Sequence, residues 1–133
     1  MIKRFVSWVL VLCTVFISRP AFADDLSTSL ADQIVVIGDM NLNLSAHELR
    51  VFKRKTDRLI AATRRDDKPI AYSCLLDIQN PRHVSFVETW SSRSALEHHL
   101  DRKAFKKWYS WVKPRIDGPL SINIAPQSSF KPF

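Results

Sequence analysis

The sequence predicts an α+β domain of ferredoxin-like topology, β-α-β-β-α-β, with an antiparallel sheet. Three observations predict it. Four runs, at 33–44, 70–79, 84–90 and 120–125, carry the composition and periodicity of strands. Two longer amphipathic runs lie between the first and second strands and between the third and fourth. The link Asn80-Pro81-Arg82 is so short that the strands on either side of it must be antiparallel.

The chain opens with Met1-Ile-Lys-Arg4, a short basic start. Phe5 to Ile17 is a mostly apolar run, and Ala21-Phe22-Ala23 closes the region with a small-x-small pattern. That order reads as a secretory signal peptide over 1–23, cleaved after Ala23. The apolar run is shorter than the roughly 20 residues that span a bilayer, so no transmembrane anchor is expected after cleavage. The protein is therefore expected to be exported, periplasmic or secreted. Residues 24–32 form a polar lead-in.

Gln33 to Leu44 is rich in β-branched residues, and Met40, Leu42 and Leu44 alternate with Asn41 and Asn43. Ser45-Ala-His-Glu48 has the spacing of a capping box, so a helix starts there and runs to about Arg65. Leu49, Phe52, Leu59, Ile60 and Thr63 share its apolar stripe. Asp66-Asp-Lys-Pro69 breaks it, and Ile70 to Gln79 and Val84 to Trp90 form the hairpin. Ser91-Ser92 caps the second helix, which the segment Pro114–Pro119 ends. Within that helix Ala95, Leu96, His99 and Leu100 point one way, and Phe105, Trp108, Tyr109 and Val112 nearly the opposite way. One straight helix cannot bury both stripes, so a break is expected near Asp101–Lys103. Leu120 to Ala125 is the last strand and 126–133 a flexible tail, leaving a domain at 33–125.

Both parities of the strands are apolar: Tyr72, Cys74 and Leu76 oppose Ala71 and Leu75, for example. A sheet apolar on both faces needs cover on both, and the sequence holds one helix layer only. A homodimer with two sheets face to face is the expected answer.

Composition excludes several functions. Only Gly38 and Gly118 are glycines, so no glycine loop can cradle a nucleotide phosphate. The formal net charge of +7 falls to +4 once Lys3, Arg4 and Arg19 leave with the signal. With no recognition motif, nucleic acid is not an expected partner, and the basic runs of the helices read as solvated faces. Cys74 would be the sole cysteine of the mature chain, so no internal disulfide can form. His98 and His99 diverge by about 100° on a helix and make no metal pair.

The run Phe86-Val-Glu-Thr-Trp90, then Ser-Ser-Arg-Ser-Ala-Leu96, His99-Leu100 and Ala104-Phe105, resembles the antibiotic biosynthesis monooxygenase family. Phe52 and Tyr72 also fall at family-like positions. The resemblance covers about Gln33 to Ala125 and implies a dimeric α/β barrel with a pocket between each sheet and its helices. It further implies oxygenation of a small aromatic substrate by O₂ with no metal or other cofactor. Such chemistry asks for one base and aromatic walls that exclude water. The residues expected to supply them are His99, Trp90 and Glu88 as catalytic groups, with Tyr72, Phe86 and Leu96 against the substrate.

The chain departs from the family in three places. Asp66-Asp-Lys-Pro69 replaces a Glu-Pro-Gly-Cys loop. Phe86 and Leu96 replace an Asn and a Tyr of the quinone-forming oxygenases. His99 and Tyr109 stand where the haem-degrading branch has a Trp and a haem-binding His, which argues against haem breakdown. The expected function is an exported, cofactor-independent monooxygenase of a small quinol or polyphenol. The alternative is a non-catalytic dimeric module of the same fold that holds an aromatic ligand or a protein partner.

Each candidate also has a structural reading. His99 is a general base, or a core histidine bonded to a carbonyl. Trp90 is a site wall or plain core. Glu88 is a tuned acid, or half of a buried salt bridge.

Overall fold

A computed structural model describes residues 31–130. The expected signal peptide, and residues 24–30 of the lead-in, lie outside the described residues. The elements run β1 (Ile34–Leu42), α1 (Ala46–Asp66), β2 (Ala71–Leu76), β3 (His83–Trp90), α2 (Arg93–Asp101), α3 (Lys103–Val112) and β4 (Ile116–Pro126). The four strands form one antiparallel sheet in the order β2-β3-β1-β4. The ferredoxin-like α+β class is as expected.

Local chemistry explains the element ends. Ser45 is the N-cap of α1 and forms both halves of the capping box with Glu48. Ser92 caps α2 by accepting from the Ala95 N–H at 3.1 Å. Arg102, with φ −64° and ψ 140°, is the break between α2 and α3. That break lets Leu96 and His99 of α2, and Trp108 and Val112 of α3, all be buried.

β1 is shorter than expected, ending at Leu42 and not Leu44, and larger differences lie elsewhere. β2 ends at Leu76, because the Asp77 side chain accepts from the Gln79 and Asn80 N–H groups and turns the chain. β4 starts at Ile116, four residues before Leu120, with Gly118 at φ +81° and a shifted register opposite Asp39–Asn41. Only glycine adopts that φ without strain, so a segment that reads as a breaker extends the strand. Beyond Pro126, a 3₁₀ turn at Gln127–Ser129 is tied back by the Gln127 N–H, which donates to the Gln33 carbonyl at 2.8 Å.

Alternation along β3 sorts the two faces: Val84, Phe86, Glu88 and Trp90 are buried, and the residues between them half-buried. Val84, Phe86 and Trp90 form one core with Val36 and Met40 of β1, Phe52 and Leu59 of α1, and Leu96 and Trp108. The helices therefore cover this face. Register places Val35, Ile37, Val87 and Leu75 on the other face, where Leu75 is about half exposed.

Candidate functional site

Between the sheet and the two short helices lies an apolar cavity of about 330 Å³. Its floor is the helix-covered face of the sheet: Val36 and Met40, Tyr72, Phe86 and Glu88, with Ile122 and Ile124 toward the β4 edge. Leu96 and Leu100 of α2 and Phe105, Trp108 and Tyr109 of α3 close the other side. The break at Arg102 makes this wall possible, since it turns both apolar stripes to the sheet. Trp108 is held by its indole N–H, which donates to the Thr56 hydroxyl of α1 at 3.0 Å. Phe86 and Phe105 meet Trp108 with ring centroids 5.2 and 6.1 Å away.

One carboxyl lines this surface. Glu88 is 7% exposed, and the Trp90 Nε1–H donates to its Oε2 at 2.8 Å. Both residues are on one strand face, two positions apart, so the contact follows from the strand's period. Burial pushes the Glu88 carboxyl up to about 7, against the lowering effect of the Trp90 bond. The expected buried salt bridge is absent among the described residues: no cation lies within ion-pair distance of Glu88. Its partner is the neutral indole.

Tyr72 stands directly across from Glu88 in the β2–β3 register. Burial first, then the Glu88 charge, raises its phenol well above the usual range, so it stays protonated. Its hydroxyl lies 3.4 Å from His99 Nε2. His99 is 1% exposed and packs against Trp90 at 4.8 Å and Phe105 at 5.1 Å between ring centroids. Its Nδ1 lies 2.9 Å from Asp67 Oδ2, so its polar partner is a buried carboxylate and not a backbone carbonyl. Burial holds the imidazole below its usual pKa, with Asp67 opposing. Arg102 Nε sits 3.2 Å from the other Asp67 oxygen.

Of the residues singled out in the sequence, Glu88, Tyr72, Phe86 and Leu96 line the cavity. His99 and Trp90 stand behind that wall, joined to it through Tyr72 and Glu88. Asp67 was missed. It reads as a helix breaker, and nothing local shows that it meets a histidine 32 residues away. Cys74 is half-buried, and burial raises its thiol to about 12. His98 is exposed. Among the described residues, no three His, Cys, Asp or Glu side chains converge to hold a metal ion.

A single antiparallel sheet, helices on one face and an apolar cavity with one buried carboxyl between them define a small α+β domain with a pocket between sheet and helices. Residues 46–111 match the family model described as antibiotic biosynthesis monooxygenase, and the chain belongs to that family. Solved structures share the fold. A conserved protein from Methanosarcina mazei is 20% identical with a TM-score of 0.65, the match covering 74% of this chain and 96% of that one. A structure described as an antibiotic biosynthesis monooxygenase is 19% identical with a TM-score of 0.62, covering 69% and 95%. A protein from Shewanella oneidensis is 20% identical with a TM-score of 0.61, covering 71% and 90%. No curated protein matches the chain.

Proposed function

We propose that the protein is an exported monooxygenase that oxidises a small quinol or polyphenol with O₂, with no metal or organic cofactor. The observation that carries this reading is the buried, ion-pair-free Glu88 carboxyl on the wall of an aromatic cavity of about 330 Å³. That volume suits a bicyclic or tricyclic ring system. A carboxyl poised near 7 is a matched base at neutral pH, whereas an ordinary glutamate is too weak.

For a substrate with an activated methylene, such as an anthrone-type phenol, the balance is complete without another reactant. Glu88 takes one proton, and the resulting carbanion gives an electron to O₂. The radical pair closes a C–O bond to give a peroxide. Loss of the second C–H proton and cleavage of the O–O bond leave a ketone. The departing hydroxide takes up a proton as water. The substrate supplies all the electrons, one oxygen atom enters the product and the other becomes water.

Phe86, Phe105 and Trp108 hold the ring and keep water from the carbanion. Trp90 orients the Glu88 carboxylate through its indole N–H. His99 acts through Tyr72. A homodimer covering the far face of the sheet belongs to this reading; half-exposed Leu75 there supports it. Phe86 and Leu96 make apolar wall where the quinone-forming oxygenases carry Asn and Tyr, and this favours the second reading, a binding module for an aromatic ligand.

Oxygen uptake by the purified protein with a panel of quinols and anthrone-type phenols tests the choice. Uptake above autoxidation that falls at least 100-fold in Glu88→Gln, and also falls in His99→Ala, supports the enzyme. Binding without uptake by a folded protein refutes it and leaves the module.

A further inference from the structure

The polar groups behind the cavity wall form a chain whose far end, Asp67, the oxygenase reading does not use. Asp67, His99 and Tyr72 come from the end of α1, from α2 and from β2, and they meet in sequence: Oδ2 to Nδ1 at 2.9 Å, then Nε2 to the phenol oxygen at 3.4 Å. The Asp67 and His99 side chains are 5% and 1% exposed, so water does not decide who donates to whom. We propose that Asp67 is a positioning residue that fixes the tautomer of His99, turns the Tyr72 proton toward the histidine, and so makes Tyr72 a hydrogen-bond acceptor that selects ligands bearing a hydroxyl. The proposal rests on the reading that the cavity takes an aromatic ligand.

The donor inventory forces the order. A carboxylate only accepts, and Asp67 lies in ion-pair reach of Arg102, whose Nε is 3.2 Å from Oδ1. Nδ1 of His99 must then carry the proton. A neutral ring has a bare Nε2, which can only accept, and the Tyr72 hydroxyl is the donor beside it. The phenol proton is thereby committed. Two lone pairs remain on the oxygen, and the Thr63 hydroxyl next to it can use at most one. Across the strand pair, ionised Glu88 is also an acceptor. On the sheet side of the cavity both polar groups accept, which suits a phenol or quinol O–H placed there; the Tyr109 phenol lies on the helix side. An ether or ketone oxygen in the same place would face a lone pair and leave it unpaired.

The isosteric change loosens this order. Asp67→Asn replaces a group that only accepts by one that can also donate to Nδ1, so the ring is free to become the Nε2–H tautomer and to donate to the Tyr72 oxygen. The Tyr72 oxygen then has one lone pair fewer for a ligand, and the selection for a hydroxyl weakens.

The test pairs ¹⁵N spectra of the His99 ring with anaerobic calorimetric titrations of 1-naphthol and 1-methoxynaphthalene at pH 8. The expected wild-type result is an Nδ1–H ring and naphthol bound about tenfold more tightly than the ether, the scale of one buried neutral hydrogen bond. Tyr72→Phe should cut that ratio at least threefold with ether affinity kept. Asp67→Asn should show a new Nε2–H ring population and a reduced ratio. A merely structural Asp67 would weaken both probes alike and leave the ratio unchanged. An Nε2–H ring in the wild type, or one ratio in all three proteins, overturns the proposal, and the wild type and Tyr72→Phe suffice if Asp67→Asn does not fold. If neither probe binds the wild type while the ring is Nδ1–H, the aromatic-ligand reading has failed and the selection with it. Equal binding of both probes overturns the selection alone.

Discussion

Glu88 should make the fold less stable as pH rises, by an amount the site sets. Burial moves its carboxyl from an ordinary 4.5 to about 7 in the folded chain, while the unfolded chain keeps the ordinary value. Below pH 4.5 both states hold the proton and there is no penalty. Between the two values the unfolded state ionises freely and the folded state does not, so stability falls with rising pH and levels off above 7. Integrating between pH 5 and pH 8 gives a loss of about 2.5 kcal/mol. The group is almost fully buried, so solvent screening does not reduce this much. Glu88→Gln removes the titration, and its amide oxygen can still accept from the Trp90 indole. Urea unfolding at pH 5 and pH 8 is the assay. The wild type should lose about 2.5 kcal/mol more than Glu88→Gln over that interval. A difference that stays flat with pH, or that grows in favour of the wild type as pH rises, would refute the account of Glu88 as a desolvated, ion-pair-free acid.

Three further outcomes follow from single contacts. Ser45→Ala removes the side-chain half of the α1 capping box, the hydroxyl that accepts from the Glu48 N–H, and should cost about 1 kcal/mol in urea unfolding. Thr56→Val leaves the buried Trp108 indole N–H without its acceptor, and should cost about 1–3 kcal/mol with a shifted tryptophan emission. Cys74, its thiol raised to about 12, should react with a disulfide reagent at pH 8 far more slowly in the folded protein than in urea, a contrast a stopped-flow trace would show.

Local signals carried much of the fold. The alternation in β1, the Ser45–Glu48 spacing and the two opposed stripes around Arg102 each depend on residues within a turn or two of one another, and each appears where the sequence places it. β4 was under-read because Gly118 and Pro119 look like a stop, while the sheet uses the glycine's positive φ to extend the strand. The site was legible in composition more than in connection. Glu88, Tyr72, Phe86 and Leu96 were picked out and do line one cavity. Their bonds were not: Glu88 meets an indole in place of a cation, and His99 meets Asp67 in place of a carbonyl. Such pairings depend on how α1 and α2 settle against the sheet. Periodicity within one element says nothing about that.

The most direct test of the oxygenase reading is turnover under ¹⁸O₂ with an anthrone-type phenol. The account predicts a ketone carrying one labelled oxygen per O₂ consumed, the second label in water, and loss of both in Glu88→Gln. A product without label, or labelled product formed at the same rate by Glu88→Gln, would contradict it.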